Sequence, residues 1–170
     1  MSDQSTQSPA PPQPLTTTEI EPFTAVLPAT GRLIGIDGGT TTLGLALSDI
    51  SRTIASPLET IQRTKFKADA ARLLALIAEH NICGLVLGLP TNMDGSHGPR
   101  VQATRALARN LNGITPIPIL LWDERLTTAA AQRMLIAADA SRKRRADVID
   151  KLAATLILQG ALDRLRNARF

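Results

Sequence analysis

A chain of 170 residues with 44% hydrophobic side chains can bury one good core and little more. No run approaches the roughly 18 apolar residues of a membrane span, and the single cysteine excludes disulfides and a cysteine metal site. The net charge is +4, and only Phe23, Phe66, Trp122 and Phe170 are aromatic, which argues against a single-strand binder built on stacked bases.

Residues 1–30 are rich in Ser, Thr, Gln and Pro and show no periodic apolar pattern, so they read as a disordered tail ahead of one domain spanning 31–170. The tail has no Lys or Arg and no apolar stretch of signal-peptide length, which points away from secretion and towards a reducing cytoplasm. Its charged residues are Asp3, Glu19 and Glu21. Setting that −3 aside leaves +7 on residues 31–170. Arginines dominate and cluster, in Arg142-Lys143-Arg144-Arg145 and at Arg164, Arg166 and Arg169. A basic domain favours a polyanionic partner, and Arg grips phosphate bidentately; the plainer alternative is a solvated face that keeps the protein soluble.

The first predicted strand, Leu33 to Ile36, ends on Asp37. The chain then turns through Gly38-Gly39-Thr40-Thr41-Thr42 and returns as a second strand, Leu43 to Asp49. A third covers Ile54 to Ile61, with Pro57 marking an edge or an irregularity. Leu73, Leu74, Leu76 and Ile77 recur at helical spacing between Lys65 and His80, and Asn81 is a plausible stop. The continuous apolar run Ile82 to Leu89 suits a strand covered on both faces, with Cys83 a small core residue. A polar loop, Thr91 to Gly98, leads to Pro99, a good first-turn residue for a helix ending at Asn112-Gly113. Ile117 to Trp122 is the next strand and delivers Asp123-Glu124-Arg125. Thr127 or Thr128 caps an alanine-rich helix to Ala138, a basic mobile connection follows, and a final helix runs from Ala146 to Arg166. Three strands followed by alternating strands and helices predict an α/β fold. Its mixed sheet has a leading antiparallel meander and later parallel strands, flanked by helices.

Three acidic sites fall where such a fold can bring them together: Asp37, Asp123-Glu124, and Asp147 with Asp150. Strand ends on one side of an open α/β sheet form the crevice that binds ligands. Asp147 and Asp150 share a helical face and sit where acids complement the helix dipole, so one of them also reads as a simple cap. Asp150 is favoured as a ligand because Leu152, Ala153, Leu156 and Ile157 fix the packed face beside it. Asp37 alone reads equally well as a turn aspartate. Clustered carboxylates repel unless a cation neutralises them, and oxygen ligands suit Mg²⁺ or Mn²⁺. Two such ions about 4 Å apart can activate water and stabilise the leaving oxygen of a phosphodiester, with no histidine base required. His80 and His97 are therefore secondary candidates. Arg125 can orient a phosphate or pair with Asp123, and Asn92, Asp94 and Ser96 form a substrate-contacting loop at a strand end.

Taken together, Gly35-Ile36-Asp37-Gly38-Gly39 through Ser48-Asp49, Val86-Leu87-Gly88-Leu89-Pro90-Thr91-Asn92-Met93-Asp94-Gly95-Ser96, Asp123-Glu124-Arg125-Leu126-Thr127-Thr128 and Asp150-Lys151-Leu152-Ala153-Ala154 closely resemble the YqgF family. Its members are described as Holliday-junction-resolvase-like proteins and as pre-16S rRNA nucleases, and the resemblance covers about residues 31–165. It implies a ribonuclease H-like fold, metal-dependent phosphodiesterase activity, and maturation of the 5′ end of small-subunit ribosomal RNA. On this chain it implies Asp37, Glu124 and Asp150 as catalytic and metal-holding residues, with Asp123 assisting. Thr41-Thr42 stand where that family usually carries basic residues. Three other readings compete: a resolvase acting on branched DNA, a non-catalytic RNA-binding assembly factor, and an actin-like or sugar-kinase ATPase, whose nucleotide site needs two such domains. Monomer and dimer are both open.

Overall fold

Side chains on a strand alternate between faces, and here both faces are apolar, which is why the central strands read as continuous hydrophobic runs. The computed structural model describes residues 15–90, 94, 97–126 and 142–168, with only the backbone described for 142–150. The strands are β1 (Thr16–Thr17), β2 (Arg32–Gly38), β3 (Thr42–Ser48), β4 (Ala55–Gln62), β5 (Ile82–Leu89) and β6 (Ile119–Asp123). The helices are α1 (Ile20–Val26), α2 (Phe66–His80), α3 (Pro99–Asn112) and α4 (Arg142–Asn167), with a 3₁₀ turn over Glu124–Leu126. Sheet order is β1-β6-β5-β2-β3-β4. The β2–β3–β4 meander is antiparallel, whereas β5, β6 and β1 add in parallel. This is the mixed sheet expected from the order of elements, and it has the ribonuclease H-like form that the family resemblance implies.

One face carries Ile34, Ile36, Leu85, Leu87, Ile119 and Leu121 against Leu73 and Leu76 of α2 and Leu107 and Leu111 of α3. The other carries Leu33, Ala46, Val86, Leu120 and Trp122 against α1 and the Ala154–Leu165 stretch of α4. Helix α4 lies directly on the backbone of β2: a Cβ on Gly35 would stand 2.6 Å from Leu158 Cβ and 3.0 Å from the Ala154 carbonyl oxygen. The stop at Asn81 has its expected form, a left-handed cap with φ 51° whose N–H donates to the Ile77 carbonyl. Pro57 sits on edge strand β4, where pairing with β3 slips in register.

Two expectations need correction. The tail expected through Thr30 does not hold for residues 15–30. Thr16 and Thr17 pair with Ile119 and Leu120, and α1 buries Ile20 and Phe23 beneath the sheet. Ile20, Phe23 and Leu27 recur at helical spacing, a signal hidden by the surrounding Ser, Thr and Pro. Residues 142–145, expected in the basic connection before Ala146, are instead helical, within α4. The helix expected from Thr127 or Thr128 to Ala138, and residues 1–14 of the tail, lie outside the described residues. Among the described residues no helix is long and apolar enough to cross a membrane.

Candidate functional site

Asp37 lies near the end of β2, opposite Gly44 of β3. Two and four positions earlier, Gly35 touches α4 and Leu33 belongs to the α4-side core, so the strand period places Asp37 on the α4 face. On its other side runs β5, where Ile36 pairs with Leu87, making Gly88 the neighbour of Asp37 across the ladder. Glu124, the first residue of the turn after β6, reaches back over that glycine. A Cβ on Gly88 would stand 2.7 Å from Glu124 Oε1 and 2.5 Å from Ile157 Cδ1. The missing side chain at position 88 is thus the space that holds the Glu124 carboxyl between β5 and α4.

The electrostatics follow from that position. Burial, then the nearby charge of Asp37, push the Glu124 carboxyl up to about 7, with Arg100 opposing and Asp123 adding to the rise. A largely buried carboxyl is thus held within electrostatic reach of a second acid. Oxygen donors in that state fit a hard divalent cation, which would relieve both the desolvation and the repulsion.

Asp123 is placed differently. It follows Leu121 with the strand period, on the α2–α3 side, whereas Trp122 faces α4. Its carboxylate accepts from Arg125, with Nε 3.1 Å from Oδ1 and 3.0 Å from Oδ2, Nη2 2.7 Å from Oδ2, and the Arg125 backbone N–H on Oδ1 at 2.9 Å. The Arg125 hydrogen bonds hold Asp123 below the ordinary carboxylate range, and His97 adds to the effect. Of the two options open to Arg125, pairing with Asp123 is the one this geometry displays. The pair stands on the wall of a cleft of about 900 Å³ that His97, Leu89, Trp122 and Arg164 also line.

Asn92 and Ser96 lie outside the described residues, while Asp94 is exposed and close enough to Arg125 to reinforce its charge. For Asp150 and Asp147 only the backbone is described, in the first turns of α4; position 150 is one turn before Ala154, whose carbonyl lies against Gly35. Among the described residues no group of three acidic, His or Cys side chains stands ready to hold a metal. The structure therefore brings together Asp37 and Glu124 and sets Asp123 apart with Arg125. His80 closes α2, as expected of a helix-end residue.

Two contributors escaped sequence reasoning. Gly88 reads as an ordinary strand glycine until Glu124 is seen above it. Arg100 tempers the Glu124 carboxyl from the first turn of α3, and the available signal was its place just after Pro99, in a helix that begins beside the strand ends.

Residues 31–164 match the family described as RuvX: Holliday junction resolvase. The chain belongs to the RuvX family. Relatives named "Putative pre-16S rRNA nuclease" include one from Cereibacter sphaeroides (strain ATCC 17025), 64% identical over 146 residues that span 86% of this chain and 91% of that protein. Another, from Paracoccus denitrificans, is 60% identical over 147 residues, 86% of this chain and 93% of its own. Among solved structures, Thermus thermophilus RuvC in complex with Holliday junction substrate superposes with a TM-score of 0.54 at 15% identity, covering 80% of this chain and 96% of that one. At that identity the superposition speaks to the fold, and it is the fold described above. The RuvX match begins at residue 31, so β1 and α1 lie outside it.

Proposed function

We propose that this RuvX protein is a metal-dependent nuclease that hydrolyses phosphodiester bonds and acts in 5′-end maturation of pre-16S rRNA in the cytoplasm. The observation that carries the chemistry is the Asp37–Glu124 pair, with the Glu124 carboxyl pushed up to about 7 by burial and by its neighbour. Asp37 and Glu124 would hold Mg²⁺ or Mn²⁺, joined by Asp150 from α4. A bound cation of this kind supplies an activated water and neutralises charge on the leaving oxygen.

The protein's own residues then have distinct tasks. Gly88 leaves the space that lets Glu124 lie against β5 and face Asp37. Arg100 limits the repulsion between the acids. Arg125, held in a fixed plane by Asp123, presents its remaining donors to the cleft that Leu89 and His97 also line, and Asn92 and Ser96, which lie between those two residues in the chain, would meet substrate. The substrate assignment draws on what the curated relatives are named for, and the family description makes branched DNA the alternative substrate.

The test is Asp37→Asn, with Mn²⁺-dependent cleavage of a pre-16S 5′-leader RNA and of a four-way DNA junction measured in parallel. Loss of cleavage with an unchanged melting temperature is expected, and preferential cutting of the RNA names the substrate. Wild-type rates in the variant would sink the mechanism. RNA that binds but is never cut under any metal would instead favour a non-catalytic assembly factor.

A further inference from the structure

The turn that follows Asp37, Gly39 to Thr42, carries no charge of its own, yet a cation is fastened to it from another strand. Arg63 is the first residue after β4. Its backbone N–H donates to the Thr41 carbonyl at 2.8 Å, and its Nη1 donates to the Gly39 carbonyl at 2.6 Å. Gly39 is two residues beyond Asp37, so the guanidinium is anchored within about 7 Å of backbone from that acid. The side chain is exposed, and among the described residues it forms no ion pair. A guanidinium has five N–H donors, and this anchor uses one. Lys65 and Lys67, also exposed, continue the positive rim towards α2.

A turn could be pinned by any donor, and a neutral side chain would do it as well as a charged one. What this arrangement adds is an exposed planar cation tethered to the turn that follows Asp37, on the α2–α3 side of the sheet beside Phe66 and Leu107, with donors left over for a ligand that crosses the strand ends. We propose that Arg63 is a substrate-positioning residue that grips a backbone phosphate of the nucleic acid next to the one at Asp37 and Glu124. Resting on the nuclease reading, this assigns to Arg63 the register of the strand along the β2–β3 turn. The contact is to phosphate, so it is blind to base sequence and common to RNA and DNA.

Salt dependence tests it, because each phosphate contact contributes about 0.7–0.9 to the slope of log affinity against log salt. Binding of a fluorescein-labelled RNA hairpin with a single-stranded 5′ extension, and of a four-way DNA junction, is titrated in EDTA across a salt series. Arg63→Gln keeps a donor for the Gly39 carbonyl but removes the charge; its slope should be shallower by about 0.7–0.9 on whichever probe the wild type binds. Arg63→Lys should retain the wild-type slope, and so should Arg72→Gln, which removes an exposed arginine of α2 paired with Glu59 of β4. An unchanged slope in Arg63→Gln overturns the assignment, even if the wild type cleaves normally. If the wild type neither binds nor cuts either probe, the assignment and the nuclease reading fall together.

Discussion

Gly88→Ala tests how the site is assembled. The added Cβ would meet Ile157 Cδ1 at 2.5 Å and Glu124 Oε1 at 2.7 Å. Ordinary carbon contacts begin near 3.5 Å, so Ile157 must retreat by about 1 Å and the carboxyl by somewhat less. Ile157 is 3% exposed in the core beneath α4, and overpacking of this kind costs about 1–3 kcal/mol. For a chain of this length each kcal/mol lowers the melting temperature by about 2–4 °C. The displaced carboxyl matters more for function, since a misplacement approaching 1 Å can slow a positioned reaction about a hundredfold. Cleavage should therefore drop by about tenfold to a hundredfold while the melting temperature falls by only several degrees. Gly113→Ala supplies the control: its Cβ would meet only the Asn110 carbonyl, at 3.4 Å, in right-handed helical backbone, so stability should hold or rise slightly. The experiment pairs circular-dichroism melts with Mn²⁺-dependent cleavage of a leader RNA. Wild-type cleavage and melting in Gly88→Ala would refute the claim that this glycine makes room for Glu124.

Other consequences follow from the same geometry. Glu124 is raised from its ordinary 4.5 to about 7, so between those values the folded protein binds more protons than the unfolded chain. Its contribution to stability is present below pH 4.5 and is lost as the pH climbs through 7. In EDTA, Glu124→Gln should gain melting temperature over wild type across that window, and a gap independent of pH would contradict the assignment. The same titration should weaken Mn²⁺ binding below about pH 7, where protons compete for the carboxyl. Calorimetry should also show Asp123→Asn keeping far more Mn²⁺ affinity than Glu124→Gln, because Arg125 already occupies the Asp123 carboxylate; equal losses would place Asp123 among the ligands. Phe23→Ala removes a fully buried ring from α1 and should cost about 3–5 kcal/mol, read as a melting shift of about 6–20 °C. A near-neutral result would mean that α1 contributes little to the fold.

Much of this protein is determined locally and can be read without coordinates. The strand runs at 33–36 and 82–89 are continuous because helices cover both faces, and the Gly38–Thr42 turn makes the antiparallel meander unavoidable. Asp37 and Glu124 stand at strand ends for the same reason. What the tertiary structure decided are relations through space. Thr16 and Thr17 form a strand only because the edge of β6, a hundred residues away, is free to receive them, and Phe23 becomes core only beneath the finished sheet. Adjacent in sequence, Asp123 and Glu124 part company because the strand period sends Asp123 towards Arg125 while the turn swings Glu124 over Gly88. The carboxyl pushed up to about 7 is likewise a property of its burial and of its neighbour Asp37, which no local pattern links to Glu124. Asp150 stays an expectation of the sequence, supported by its backbone position one turn before the α4–β2 contact. A motif can say which residues carry chemistry, but burial and distance decide how each of them is charged.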